Sequence, residues 1–97
     1  MIVRILPAAL VDLDEAYEFY EQQNSEIGDY FLASIESDIE SLSYEAGIHP
    51  VVYDFYHVKY TRRFPYAIFY YLLENIVYVD AVLDCRRDPE WISERLN

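Results

Sequence analysis

The run from Pro65 to Leu73, near the middle of the second half of the chain, is apolar on both faces that a β-strand would present. One face would consist of Ala67, Phe69 and Tyr71, and the other of Ile68, Tyr70 and Leu72. A strand with no polar face has to be covered on both sides. The run therefore predicts a central strand, and the rest of the chain has to supply both covering layers.

The 97 residues suit one folding unit, so we expect a single domain over residues 1–97. A hydrophobic fraction of 54%, with 18% aromatic residues, is rich enough for a packed interior. Cys85 is the one cysteine and cannot form an intramolecular disulfide. The opening apolar run is too short for a secretory signal, and acidic residues interrupt every run that could span a membrane. We expect a cytoplasmic protein with no membrane partner.

Two amphipathic helices are predicted before the central strand. A short strand at Ile2–Leu6 ends at Pro7, which suits a first helical turn. A first helix is expected over 8–23 and a second, capped by Ser25, over 25–45. The apolar positions are Leu10, Leu13, Tyr17 and Tyr20 in the first helix and Ile27, Phe31, Ile35, Ile39 and Leu42 in the second. So short a connection predicts an antiparallel helical hairpin.

Strands are predicted after Pro50, where the period of the apolar pattern changes. We expect them over 53–60, 65–73 and 76–83, with Glu74-Asn75 as a hairpin turn. Asp88-Pro89 predicts the start of a short helix over 89–96, with Asp88 as its cap. The fold class is α+β, ordered β-α-α-β-β-β with a short C-terminal helix. The hairpin is expected to pack on one face of a small, mainly antiparallel twisted sheet.

The charges of the chain are strongly acidic and unevenly distributed. Eighteen Asp and Glu stand against seven Lys and Arg, for a formal net charge of −11. No Lys or Arg lies between Asp12 and Glu45, whereas five of the seven basic residues lie between Lys59 and Arg87. Such a charge opposes broad adhesion to nucleic acid or anionic lipid, so any basic site has to be local.

A local cation cluster is predicted from strand parity. His57, Lys59 and Arg63 share a strand face, which we expect to lie opposite the helical hairpin. Arg86 and Arg87 would leave the neighbouring strand beside them, with Arg62 at the rim. Arginine forks suit such a site because they bind phosphate or carboxylate through two parallel hydrogen bonds. The alternative is that these arginines form surface ion pairs with some of the many carboxylates.

Several segments together resemble a known family. They are the helical segments DLDEAYEFYEQQ and IGDYFLASIESDI, then RRFPYAIFYYL and VYVDAVLDCRRDPEWISERL. Their order and spacing over nearly the whole chain are similar to the RelE/ParE superfamily of bacterial type II toxins, also called plasmid stabilisation proteins. The most specific elements are Arg63-Phe64-Pro65-Tyr66 and Arg86-Arg87-Asp88-Pro89 with Trp91. The resemblance implies a small toxin that a cognate antitoxin holds inactive.

The superfamily contains two activities. RelE-like members cut mRNA at the ribosome, and the candidate catalytic residues here would be His57, Lys59, Arg63 and Arg86. Asp84 stands where many members have a histidine, with Cys85 after it, and His57 has the alternative of a strand-face residue without a catalytic role. Cys85 is expected to be a small, semi-buried apolar residue.

ParE-like members poison DNA gyrase, which requires a recognition surface rather than a nuclease site. The acidity of the chain favours this activity, with Arg62, Arg63, Arg86 and Arg87 as target-binding residues. A third hypothesis is an inactive homologue that retains only antitoxin binding. No cofactor and no metal are expected under any of the three.

The charge pattern also predicts how the antitoxin binds. We expect an antitoxin arm rich in Lys and Arg along the acidic hairpin, and acidic only where it covers Arg63 and Arg86. The expected partner-binding residues are Glu15, Glu18, Asp29 and Glu36, with Tyr56, Tyr60 and Tyr66 as aromatic anchors or, alternatively, as core residues. The assembly is left open between a homodimer and a toxin-antitoxin hetero-oligomer.

Overall fold

A five-stranded sheet forms the centre of the molecule in a computed structural model that describes all 97 residues. The strands are β1 (Ile2–Ile5), β2 (Val51–Val52), β3 (Tyr56–Tyr60), β4 (Tyr66–Leu73) and β5 (Ile76–Asp84). Their spatial order is β1-β5-β4-β3-β2, with β1 parallel to β5 and all other pairs antiparallel. The predicted central strand is confirmed as β4, and the α+β class is confirmed.

The helices are α1 (Pro7–Gln23), α2 (Ser25–Glu40), α3 (Leu42–Glu45) and α4 (Pro89–Leu96). Helices α1 and α2 form the predicted hairpin, but Asn24 rather than Ser25 caps α2, since the Asn24 side chain accepts the N–H of Glu26 at 2.9 Å. Asp88 caps α4 as predicted, by accepting the N–H of Glu90 at 2.9 Å. No helix is long and apolar enough to cross a membrane.

The predicted strand over 53–60 is wrong at its start. Tyr53 and Asp54 have φ of +49° and +74° and form the turn between β2 and β3, so β3 begins only at Tyr56. The Glu74-Asn75 turn is confirmed: both residues have positive φ, 50° and 66°, which gives a two-residue hairpin of the twist that antiparallel strands favour.

Two apolar clusters cover the two faces of the sheet. The larger one lies under the hairpin and contains Phe31, Ile35, Ile68, Tyr70 and Val79 among its fully buried members. The smaller one lies on the other face, where α4 contributes Ile92 and Leu96. The first-helix apolar stripe differs from prediction, because Leu10 is 50% exposed whereas Ala9, Leu13 and Ala16 are buried.

A β-bulge in β5 reverses which side chains face the hairpin in the second half of the strand. The register runs Phe69↔Ala81 and then Tyr70↔Val79, so Asp80 is the extra residue. Val79 on one side of the bulge and Val82 on the other therefore both face the hairpin. Because Asp84 shares the parity of Val82, the bulge also turns Asp84 towards the hairpin side.

Candidate functional site

Four of the seven Lys and Arg residues lie in two adjoining loops at one end of the sheet. The loops are 61–65, between β3 and β4, and 85–88, between β5 and α4. They are joined by the Cys85 N–H, which donates to the Pro65 carbonyl at 2.9 Å, and each carries two arginines. We call this region the arginine end and define it as Arg62, Arg63, Arg86 and Arg87. Cys85 itself is exposed, contrary to expectation, and its Sγ lies 3.2 Å from the Pro65 oxygen.

Arg62 holds its loop against α2. Its Nε donates to Asp38 Oδ1 at 3.0 Å, and its backbone N–H donates to Asp38 Oδ2 at 3.3 Å. The Asp38 side chain is 1% exposed, whereas that of Arg62 is 63% exposed. A buried carboxylate without a partner is costly, so Arg62 is occupied in compensating Asp38.

Arg86 is similarly occupied, by Asp84. The guanidinium makes a bidentate contact, with Nε 3.0 Å from Oδ1 and Nη2 2.7 Å from Oδ2, and the Arg86 N–H donates to Oδ1 at 2.9 Å. These hydrogen bonds hold the pKa of Asp84 below its ordinary value and raise the pKa of Arg86. A carboxylate stabilised in its charged form is a weak general base.

Arg63 and Arg87 form no ion pair. Arg63 is exposed in the 61–65 loop, and no carboxylate lies within salt-bridge distance of it. The Arg87 guanidinium carbon lies 4.0 Å from the ring centroid of Trp91, which is a cation–π contact. These are the two guanidinium groups of the arginine end that remain available to an external anion.

Lys59 lies away from this end, on the hairpin side of the sheet. Its Nζ donates to Glu45 Oε1 at 2.6 Å and to the Ser41 hydroxyl at 2.5 Å, and its side chain is 11% exposed. The hydrogen bond from Lys59 lowers the pKa of Glu45. The expectation that this strand face lies opposite the hairpin is therefore wrong, and Lys59 does not join Arg63 and Arg86 in one cluster.

His57 is also remote from the arginine end. Its ring stacks on that of Tyr70, with centroids 5.1 Å apart, and its Nδ1 donates to the His49 carbonyl at 2.8 Å. The four candidate catalytic residues thus divide into two groups, with His57 and Lys59 in one and Arg63 and Arg86 in the other.

Two open grooves flank the arginine end. The first, of about 320 Å³, lies between α1 and the start of α4, and its lining includes Glu15, Phe19, Tyr66, Arg87 and Trp91. The second, of about 300 Å³, is wholly apolar and lies on the other face of the sheet, where Val52, Tyr53, Val58, Tyr60, Ala67, Phe69, Cys85 and Ile92 line it.

The three aromatic residues expected to anchor the antitoxin differ in their availability. Tyr66 lines the first groove and Tyr60 the second, and Tyr60 is 65% exposed. Tyr66 and Tyr56 are nevertheless both core residues, 8% and 4% exposed, and the Tyr56 hydroxyl donates to Asp80 at 2.6 Å. Burial is the first cause that raises the pKa of Tyr56, to about 12.

The outer face of the hairpin is acidic and largely unpaired. Glu15, Glu18 and Glu36 are exposed and form no ion pair, while Asp29 accepts the Tyr17 hydroxyl at 3.1 Å. That hydrogen bond is the main cause of the raised pKa of Tyr17, about 12. The exposed apolar side chains of Val11, Phe19 and Tyr30 lie on the same two helices.

Three features of the structure were not predicted from the sequence. Asp38 interrupts the apolar stripe of α2 at helical spacing, three residues after Ile35, which was a usable sign of a buried carboxylate. The contact of Arg87 with Trp91 had no helical signal, because Arg87 precedes Asp88, the cap of α4. The involvement of His49 had no local signal, because its partner Tyr70 is distant in sequence.

Comparisons with known proteins agree with this architecture. The family model for the ParE toxin of the type II toxin-antitoxin system parDE matches residues 3–89. Among solved structures, a chain of the chromosomal ParDE toxin-antitoxin system from P. aeruginosa is similar, with a TM-score of 0.78 and 16% sequence identity. The match covers 84% of this chain and 92% of that chain. No curated protein matches.

A helical hairpin packed on a five-stranded sheet, with basic loops at one end, defines a toxin of the RelE/ParE superfamily. Within that superfamily, the chain belongs to the ParE toxin family of type II toxin-antitoxin systems. The resemblance of the sequence to the RelE/ParE superfamily is confirmed.

Proposed function

We propose that this toxin acts on a protein target, such as DNA gyrase, and recognises it through the arginine end. The observation that carries the proposal is that two of the four arginines are ion-paired and the other two are not. Arg62 and Arg86 are held by Asp38 and Asp84 and fix the two loops, whereas Arg63 and Arg87 face outwards without a carboxylate. Preorganised loops that present two free guanidinium groups suit recognition of a carboxylate-bearing surface.

The geometry gives less support to mRNA cleavage. That reaction needs a base, a proton donor and cations around one phosphate. Here Lys59 is bound to Glu45, His57 is stacked on Tyr70, and neither is in the group that contains Arg63. The one titratable acid in contact with Arg86 is Asp84, whose lowered pKa opposes a role as base.

The experiment is expression of the toxin in a bacterium that lacks the cognate antitoxin, combined with a supercoiling assay on purified gyrase. We expect arrested growth and inhibited supercoiling, each weakened at least about tenfold by Arg63→Ala or Arg87→Ala, since exposed interface arginines are frequent hot spots. Arg4→Ala is the matched control, because Arg4 is exposed and unpaired on β1, and β1 pairs only with the half of β5 that is remote from the arginine end.

Three outcomes would contradict the proposal. Messages cut at codon positions with gyrase unaffected would indicate the RelE-like endoribonuclease. Unchanged growth on expression would indicate an inactive homologue that retains antitoxin binding. Equal effects of Arg4→Ala and Arg63→Ala would remove the arginine end from target recognition.

We also propose that a cognate antitoxin neutralises the toxin through an arm that is basic where it crosses the hairpin. The unpaired carboxylates of Glu15, Glu18 and Glu36, interspersed with exposed apolar side chains, suit an arm that alternates basic and apolar residues. Where it reaches Arg63 or Arg86, the arm is expected to be acidic.

Copurification with the product of the adjacent gene tests this proposal, followed by association kinetics at two salt concentrations. The charge reversal Glu15→Lys with Glu18→Lys should slow association about tenfold or more and reduce its salt dependence. Glu94→Lys on α4 is the control, since Glu94 is exposed and unpaired away from the hairpin. An adjacent gene product whose arm is acidic throughout would contradict the proposed arm.

A further inference from the structure

The segment that joins α3 to β2 is held on the sheet by hydrogen bonds to one buried phenol, in addition to bonds from β3 to the His49 and Pro50 carbonyls. Tyr70 on β4 is fully buried, and its hydroxyl accepts the Gly47 N–H at 3.0 Å and lies 2.5 Å from His49 Nδ1. Gly47 has a φ of +99°, a conformation that other residues rarely adopt, so the segment turns sharply towards that hydroxyl. Beyond it, β2 pairs with β3 at only two positions, Val51↔His57 and Val52↔Tyr56.

The partners fix the proton positions in this contact. The Gly47 N–H can only donate, so the phenol oxygen accepts there, and the phenol O–H donates a hydrogen bond to His49 Nδ1. His49 is then neutral, with its proton on Nε2. The opposite arrangement would leave the buried phenol proton without an acceptor. His57 completes the attachment by donating to the His49 carbonyl.

Charged and titratable groups surround His49 from each packed element. Glu45 on α3 lies 3.6 Å from Nε2, His57 and Lys59 face it from β3, and Tyr70 faces it from β4. Glu45 is the one anion among them, and its Oε1 is already engaged by Lys59 at 2.6 Å. Protonation of His49 would therefore add a second positive charge, beside that of Lys59, to a half-buried site. Glu45, the only carboxylate there, would have to serve both charges.

We propose that His49 and Tyr70 form an acid-sensitive latch, in which neutral His49 holds residues 46–52 on the sheet and protonation of His49 releases them. A protonated Nδ1 can no longer accept the phenol proton, so the buried hydroxyl loses its acceptor. Release of the segment also removes β2 and leaves β3 as the edge of the sheet, with unpaired N–H and C=O groups that another strand could bind. This device rests on the fold alone and goes beyond the proposed toxin activity.

The direction of the pH dependence follows from the environment of His49. Burial first, and then the charge of Lys59, lower its pKa below the ordinary value of 6.5, against a smaller opposing contribution from Glu45. A lowered pKa in the folded state means that the stabilisation is fully present above about pH 6.5. It is lost as the pH falls from there through the lowered pKa.

Hydrogen exchange on the full chain between pH 7.5 and 5 tests the latch. After correction for intrinsic rates, we expect the amides of residues 47–49, 51 and 52 to exchange at least about tenfold faster at pH 5, while β4 and β5 stay protected. His49→Gln should abolish the pH step, and Tyr70→Phe should give fast exchange at both pH values. His57→Gln keeps a side-chain donor for the His49 carbonyl but removes the other titratable ring, so it should retain the step. Absence of a step in the wild type, or a step that persists in His49→Gln, overturns the proposal.

A second measurement needs no variant. The ¹⁵N shifts of the His49 ring in the wild-type protein report its tautomer and titration. We expect the Nε2–H form at pH 7.5 and a midpoint below that of a model histidine. An Nδ1–H tautomer, or an unlowered midpoint, overturns the latch even where a substituted chain does not fold.

Discussion

The arginine end and the site of Lys59 differ in whether their positive charges are neutralised by carboxylates. At the arginine end, two of four guanidinium groups are left free. On the hairpin side, Lys59 is almost fully enclosed between Ser41 and Glu45. Lys59 and Arg63 come from the same short stretch of sequence, so what separates them is whether the fold supplies a carboxylate within reach. Charge near a strand end becomes a recognition surface only where the hairpin does not neutralise it.

Arg62→Ala is expected to have the largest effect on stability. It leaves the buried Asp38 carboxylate with the Arg62 backbone N–H as its one hydrogen-bond donor, and should lower the free energy of unfolding by about 2–3 kcal/mol. Urea denaturation measures it, with Arg63→Ala, expected to change stability by less than about 0.5 kcal/mol, as the neighbouring control. Equal destabilisation by both substitutions would contradict the conclusion that Arg62 is ion-paired to Asp38 and Arg63 is not.

Lys59→Met should come next, because it keeps most of the side-chain volume and removes the partner of Glu45. We expect a loss of about 1–2 kcal/mol in unfolding free energy, since Ser41 still donates to the carboxylate, which is partly exposed. Growth inhibition by the variant should match the wild type once expression levels are equalised. A loss of toxicity without a loss of stability would place Lys59 in the functional site after all.

Arg87→Ala should change stability by only about 0.5 kcal/mol, the scale of an exposed cation–π contact. Fluorescence detects this contact more directly than a stability measurement does, because Trp91 is the one tryptophan in the chain. A shift in emission is expected for Arg87→Ala and not for Arg63→Ala. Identical spectra for wild type and Arg87→Ala would mean that the guanidinium does not rest on the ring in solution.

The smallest effect concerns pH. Because Arg86 lowers the pKa of Asp84, this pair stabilises the fold above the unfolded carboxyl pKa and ceases to do so as the pH falls through the lowered value. Carboxyl ¹³C titration should show the Asp84 midpoint rising towards its ordinary value in Arg86→Ala. Asp54, exposed and in no ion pair, is the internal reference. An unmoved Asp84 midpoint would contradict the bidentate contact.

Much of the fold could be predicted from local pattern. The two-sided apolar character of β4, the periodic stripe of Phe31, Ile35 and Ile39, and the cap at Asp88-Pro89 all express nearest-neighbour rules that the final structure obeys. The candidate site was harder to predict from the sequence. Parity showed that His57 and Lys59 share a face, but which face depends on pairing with β4, where Lys59 lies opposite Ile68 and so points towards the hairpin.

The bulge at Asp80 made the alternation rule fail for β5, for a different reason. One extra residue reverses the facing of everything after it, so the orientation of Asp84 could not follow from alternation along β5. Nothing in the residues around Asp80 demands a bulge there. Its Oδ2 accepts the Tyr56 hydroxyl, a contact between strands on either side of β4. Such pairings are fixed only by the assembled sheet.

The parallel pairing of β1 with β5 has a consequence for synthesis. Ile2 pairs with Ile76, so β1 finds its neighbour only after the hairpin and β2 to β4 have been made. Contacts this distant along the chain slow folding, because a long loop must close before they form. A nascent chain that stopped before β5 would also leave β4 with an open edge. The arginine end, one of whose loops follows β5, is thus completed only after β5, and a chain that stops before that loop lacks Arg86 and Arg87.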